Sequence, residues 1–233
     1  MRYTVATTVF ELNPNIRFGI LVGENLQNSE TTASDEARLR AAESKMRETI
    51  PADKVRELPD VYLYREIMTK AGINPNKFPP SVEAMFKRII KGGQVPAINA
   101  LVDLCNAVSV EQGISLGAHD LNDIQADLEV RYSRNGDVFR PFGADEYEQV
   151  EAGELVFVSG NAVQTRKWIW RQSELGKTTL DSTRIFFQLV GFGAGEDSPL
   201  VRAMTAIEYL IKNRFQGTCR RYIVDRNNTG IDF

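Results

Sequence analysis

The chain has 233 residues, 42% of them hydrophobic, which suffices for one large domain or two small ones with a sizeable core. No run approaches the roughly 18 to 20 apolar residues that span a bilayer, and "MRYTVATTVFELNPN" lacks a signal peptide's apolar stretch, so a cytoplasmic protein without a membrane partner is expected. A net charge of −3 argues against a general nucleic-acid coat protein and no DNA partner is expected, while Arg166, Lys167, Arg171 and Lys177, and Lys87, Arg88 and Lys91, leave room for local basic faces. In chain order, "TVATTVF" (4–10) and "IRFGILV" (16–22) read as two strands separated by the turn-prone "NPN". A polar helix over 31–48 follows, with Ser34 as its cap and Asp35 and Glu36 in its first turn, and a second helix is predicted over 60–71. Val82, Met85, Phe86, Ile89 and Ile90 repeat at helical spacing, with Gly92 available as a stop. On the next helix, about 98–112, Asn99, Asp103 and Asn106 fall on one face among apolar neighbours, so they must be exposed or hydrogen-bonded.

From 126 onward the pattern turns to strands: alternating "DLEVRYS", the apolar "GELVFVSG", the aromatic-rich "AVQTRKWIWRQ" and "TRIFFQLVGF". A helix over 198–213, capped by Ser198 with Pro199 at its first position, precedes a last strand, "TCRRYIVD". This order predicts an α+β fold with a mostly antiparallel sheet and packed helices. No linker divides it, so 1–233 is read as a single domain with an N-terminal α/β portion at 1–75 and a core at 76–233.

The chemistry-bearing motifs are few. "GFGAGEDSP" (191–199) does not fit G-x-G-x-x-G and reads as a glycine turn, so no cofactor is expected there. Cys105 and Cys219 stand apart from each other and from histidine, so neither a disulfide nor a zinc cluster is suggested, and no metal is expected. His119, in "SLGAHDLNDI", is the only histidine, and no G-x-S-x-G elbow presents a serine to it. With an ordinary pKa near 6.5 it would suit general-base work at neutral pH. Otherwise it packs as a planar ring. Asn99, Asp103, Asn106, Arg171, Gln172 and Gln188 remain as polar residues in apolar surroundings that can bind a polar small molecule.

"PAINALVDLCNAVSVEQGISLGAHDLNDI" resembles the P-I-N-N-V-V-D … P-L-H-A-F-D-L segment of the bacterial phenylalanyl-tRNA synthetase β-subunit, in the third-and-fourth-domain region that forms its tRNA-editing module. "DLEVRYSRNGDVFRPFG", "GELVFVSG" and "TTLDSTRIFFQLVGF" extend the resemblance over about residues 80–215, and "RKWIWRQS" is similar to a tryptophan-arginine signature of freestanding relatives.

The resemblance implies the editing-module fold, with 76–233 as its core, and a trans-acting hydrolase of mischarged aminoacyl-tRNA. It implies His119, Arg171 and Gln188 as catalytic candidates, and Asn99, Asp103, Asn106, Gly117, Trp168, Trp170 and Gln172 as candidates for binding substrate. Two positions depart from the family pattern. Its histidine aligns with Gly117, with His119 two places on, and its L-L-E glutamate aligns with Gln188. The partner would be the aminoacylated acceptor end of tRNA. The alternative is a non-catalytic module that binds an amino acid or that acceptor end, with Arg171 pairing a carboxylate or phosphate.

Overall fold

The computed structural model describes residues 1–193 and 195–233, so Ala194, within the glycine-turn stretch, lies outside the described residues. The first β-rich run divides. Arg2–Val5 forms strand β1, and Thr7–Leu12 turns into helix α1, which buries Val9 and Phe10. A β-branched run reads as strand on propensity, but Ala6 N–H donates to the Val130 carbonyl and the chain turns there, a tertiary override of local preference. Strand β2 (Ile16–Glu24) is buried along nearly its whole length, as a strand covered on both faces must be. Helix α2 (Ala33–Thr49) is capped by Thr32, not Ser34: the Thr32 hydroxyl and the Asp35 carboxylate satisfy each other's backbone N–H groups. Helices α3 (Pro59–Lys70), α4 (Ser81–Ile90) and α5 (Ala100–Gln112) follow, the last ending at Gly113 with φ 69°.

"SLGAHD" forms strand β3 (Ser115–Asp120). The following strands are β4 (Leu128–Tyr132), β5 (Val138–Phe139), β6 (Glu148–Gln149), β7 (Leu155–Ser159), β8 (Ala162–Arg166), β9 (Arg171–Gln172) and β10 (Ile185–Phe192). Helix α6 (Pro199–Asn213) starts at its expected Ser198 cap, and β11 (Thr218–Val224) follows. β11 is not the last strand, because Gly230–Asp232 forms β12 against β1.

The chain is a single α+β domain built on two mainly antiparallel sheets. One has the order β12-β1-β4-β7-β8-β5-β6, with β9 on β8, and the other β11-β2-β10-β3. Among the described residues only β1 with β4 and β5 with β8 pair in parallel. Helices α5 and α6 cover one face of the four-stranded sheet, where Leu104 and Met204 meet Leu21, Phe187 and Leu189. α6 lies so close to β2 that a Cβ at Gly19 would stand 2.4 Å from Met204 Sδ. The opposite face packs on the larger sheet through aromatic rings, with Tyr3 and Phe157 centred 5.2 Å and 6.0 Å from Phe186. No helix among the described residues is long and apolar enough to cross a membrane.

Candidate functional site

Antiparallel pairing of β3 with β10 sets Gln188 opposite Gly117 and Phe186 opposite His119. Because side chains alternate along a strand, Ser115, Gly117 and His119 share one face with Gln188 and Val190. Between that face and the segment 165–172 lies a cavity of about 80 Å³. Gly117, His119, Trp168, Trp170, Arg171, Gln172 and Gln188 all line it, so seven of the ten residues singled out in the sequence meet at one place. No carboxylate lines it among the described residues.

The "RKWIWRQ" segment does not continue as a strand. After β8 it makes a tight turn in which Lys167 (φ 49°) and Trp168 (φ 68°) both adopt the left-handed conformation, which is costly for a bulky residue. Glu154 holds that turn. Its carboxylate accepts hydrogen bonds from Arg166 Nε (2.6 Å), Arg166 Nη2 (2.7 Å), Lys167 N (2.9 Å) and Lys167 Nζ (2.6 Å). Burial pushes the Glu154 carboxyl upward, but the bonds from Arg166 and Lys167 outweigh it and hold it below the usual carboxylate range. Ser81 N–H donates to Ile169 O (2.8 Å), fastening the turn to the start of α4. Trp168 is thereby fully buried against Tyr64, with its Nε1–H lacking any hydrogen-bond partner. Trp170 packs edge-on against Phe78 at 4.8 Å, Arg171 stands 5.9 Å over the Trp170 ring, and Lys77 and Lys167 stand over Phe78.

His119 leans back over Gly117: a Cβ at that position would stand 2.9 Å from its Nε2. The imidazole therefore occupies the space that any side chain at 117 would need. Its ring packs edge-on to Phe157 at 4.9 Å. Burial drives its pKa down to about 3, so the imidazole is neutral at ordinary pH and a much weaker base than one titrating near 6.5. Gln172 Nε2 donates to Ala118 O (2.9 Å) and sits 3.4 Å from His119 Nδ1, an arrangement that makes Nδ1 the acceptor and assigns the proton to Nε2. Gln188 Oε1 accepts from the Tyr3 hydroxyl (2.9 Å), which fixes the amide against the larger sheet.

Asn99, Asp103 and Asn106 do not join this cavity. Asn99 precedes α5 as its cap, accepting from Val102 N (3.0 Å) and Asn28 Nδ2 (3.1 Å) and donating to Thr178 O (3.3 Å). Asp103 accepts from Thr31 Oγ1 and Ile98 N. Both are buried and fasten the start of α5 to neighbouring loops, as an aligned polar face within an apolar helix requires. Asn106 lies on the other side of β3, in a separate cavity of about 140 Å³ that shares Gln172 and Leu116 with the first. The basic concentration is largely neutralised, because Arg166 and Lys167 pair with Glu154 and Lys177 with Glu174. Arg171 is exposed and forms no ion pair among the described residues. Ser81, Ser115, Thr165 and Val190 also line the cavity without having been singled out. The i, i+2 spacing from Ser115 to His119 was a usable signal for the first two strand positions, whereas nothing local to Ser81 or Thr165 points to the site. No group of three or more His, Cys, Asp or Glu side chains among the described residues could hold a metal ion.

A family model described as the B3/4 domain matches residues 63–198. Among solved structures the chain is similar to an N-terminal fragment of the phenylalanyl-tRNA synthetase β-subunit from Pyrococcus horikoshii, with 10% identity and a TM-score of 0.44. That similarity covers 94% of this chain and 50% of the other, so the chain spans about half the length of the structure it matches. A search of the curated proteins returns no match.

Proposed function

The chain belongs to the B3/4 domain family, and from that premise we propose that it hydrolyses the ester bond of an aminoacylated tRNA in trans, in the cavity between β3 and the Trp168 turn. The observation that carries this reading is a cavity lined by no carboxylate among the described residues but by donors: His119 Nε2–H, the Ser81 and Ser115 hydroxyl pair, whose oxygens stand 2.9 Å apart, and Arg171. Hydrolysis of an ester builds negative charge on the carbonyl oxygen, and fixed donors in a dry site stabilise it far better than mobile water does. Trp170 and Arg171 line the cavity, and Phe78, with Lys77 over its ring, packs against Trp170; flat rings beside cations are the combination that holds an unpaired nucleotide and its phosphate.

In the proposed step a water oxygen bonds to the ester carbonyl carbon and the carbonyl oxygen takes up the electron pair against these donors. The bond from carbon to the ribose oxygen then breaks, the proton lost by the water passes to that oxygen, and the products are a free amino acid and uncharged tRNA. His119 acts as a neutral donor rather than as a base. Gln188, where the resembling family has glutamate, orients groups through its amide.

The test is release of amino acid from a panel of aminoacyl-tRNAs. Arg171→Ala is expected to lower the rate by about tenfold, less than the roughly 100- to 1,000-fold that follows loss of a fixed, water-excluded oxyanion donor, because Arg171 is exposed. No deacylation above background for any ester, together with retained binding of the acceptor end, would overturn hydrolysis in favour of a binding module. The exchange of the family's histidine and glutamate for Gly117 and Gln188 is the feature that favours this second reading.

A further inference from the structure

The pairing of β3 leaves part of its outer edge open. Along an antiparallel strand, residues turn both backbone polar groups alternately toward the partner and away from it. Leu121 N–H donates to Arg184 O (2.8 Å), so in this register Gly117 and His119 face β10 while Leu116, Ala118 and Asp120 face outward. β3 is the last strand of its sheet. Toward its C-terminal end the outward groups are answered: Asp120 N–H donates to Gly176 O (2.8 Å), and Ala118 O accepts from Gln172 Nε2 (2.9 Å) and Thr178 Oγ1 (3.3 Å). Leu116 N–H, Leu116 O and Ala118 N–H have no partner among the described residues, and both residues are only half-buried. Donor, acceptor and donor in that order are what one strand offers the next.

The surroundings bear on what lies there. Leu116 and Gln172 line both the cavity on the His119 face and the second cavity beside α5, so the open edge stands where the two meet. A residue laid opposite Leu116 turns its side chain to the second cavity, among Ile98, Val102 and Phe142, and the next residue turns to the His119 face. Neither cavity is lined by a carboxylate among the described residues, whereas Arg171, which forms no ion pair among them, lines the first. A free α-ammonium would meet a cation there and no anion. An amide N–H carries no charge and can pair with Leu116 O.

We propose that the acyl group bound at this site is N-acylated: a short peptidyl chain that adds to the outer edge of β3 as an extended strand. It exchanges hydrogen bonds with Leu116 and accepts one from Ala118 N–H. Main-chain bonds supply affinity, and the cavities on the two faces receive alternate side chains. The inference rests on the reading above for the ester at the end of that chain, and the acid released by hydrolysis keeps its N-acyl group. The strand pairing is a property of the edge and is read by binding alone.

The experiment titrates the intact, isotope-labelled chain with acetyl-Ala-Leu-Ala-N-methylamide under NMR, beside hydrolysis of N-acetyl-leucyl-tRNA and leucyl-tRNA. Expected are downfield shifts of the Leu116 and Ala118 amide protons as new hydrogen bonds form, with the Gly117 and His119 amides, which face β10, moving less. Copies of the peptide methylated at one backbone nitrogen each should alternate in affinity. Methylation of the nitrogen opposite Leu116 O weakens binding by about tenfold, the order of one lost hydrogen bond, and methylation of the next is tolerated. Leu116→Pro removes the outward N–H without touching the ladder to β10, and an edge position tolerates the ring, so it should weaken binding by about the same factor in a folded variant. N-acetyl-leucyl ester is expected to be hydrolysed at least about tenfold faster than leucyl ester. No binding at millimolar peptide, shifts confined to other surfaces, or equal binding of every methylated copy would overturn the strand site. Leucyl ester hydrolysed as fast as its N-acetyl form would overturn the N-acyl assignment. If neither ester is hydrolysed and the peptide still binds with the alternating pattern, hydrolysis fails and the strand site stands.

Discussion

Glu154 and His119 show how single residues set this site, one by binding cations and the other by excluding water. Two consecutive left-handed residues of ordinary type cost of order 1 to 3 kcal/mol each, and the four hydrogen bonds accepted by Glu154 offset that locally. Glu154→Ala is therefore expected to let the turn relax, shifting the emission of Trp168 and Trp170 to longer wavelength and lowering deacylation, with far-UV circular dichroism retained. Unchanged emission would show that the turn holds itself. His119 yields a sharper pair of outcomes. Its folded pKa of about 3 lies below its ordinary 6.5, so between those values the unfolded chain binds the proton and the folded one does not. Stability is thus full above about pH 6.5 and is lost as pH falls toward 3, by about 1.4 kcal/mol for each unit traversed. His119→Phe keeps a ring against Phe157 and removes the titration, so chemical denaturation should find the variant gaining stability over the wild type at pH 5 relative to pH 7.5. The same variant loses the Nε2–H donor and should deacylate at least tenfold more slowly. Wild-type deacylation should show no inflection between pH 5 and 8 due to this residue; an inflection near 6.5 that disappears in His119→Phe would restore the general-base role.

At the scale of elements, the helix starts separate two kinds of sequence signal. Ser198 and Pro199 mark α6 unambiguously, since the cap and the first-turn proline stand next to each other and Ser198 Oγ accepts from Val201 N. At α2, Thr32 and Ser34 are both competent caps by type, and only the reciprocal Asp35 bond decides between them. Thr32→Ala is expected to cost about 1 kcal/mol in chemical denaturation, and Ser34→Ala less than about 0.5 kcal/mol. Equal costs would contradict the capping box. Arg214 extends the same joint, pairing with Asp35 from the end of α6 and holding the Asp35 carboxyl down to about 2. The polar face of α5 was legible as a set of buried polar residues, but its purpose was not. A pattern of spacing states that Asn99 and Asp103 need partners, and it does not say whether those partners belong to the protein or to a ligand. Here they are Asn28, Thr31 and the 178–179 loop.

At the scale of the molecule, the N-terminal segment is interleaved with the rest. β2 lies between β10 and β11, and β1 lies between β4 and β12. Tyr3 from β1 reaches Gln188 in the site, and Tyr64 from α3 donates to Val190 O and accepts from Ser115 N, so both walls of the cavity depend on residues before 76. A fragment comprising 76–233 is expected not to fold alone, because loss of β2 leaves β10 and β11 each without a partner along one edge. Dispersed amide resonances from that fragment would contradict this expectation.

By itself the sequence determined the class of the fold and most helices and long strands, which follow from period and capping chemistry acting over a few residues; it marked Arg171, Gln172 and Gln188 as polar residues in apolar surroundings, while Gly117, Trp168 and Trp170 were singled out by the family resemblance. Only the tertiary structure decided that "SLGAHD" is an edge strand, that β12 returns to β1, that "RKWIWRQ" breaks into a left-handed turn, and that His119 is buried neutral over Gly117. Each of these depends on groups far apart in the chain, such as Glu154 on Lys167, Phe157 on His119 and Gln188 across from Gly117, and the physics of burial and pairing becomes specific only when those groups are brought together.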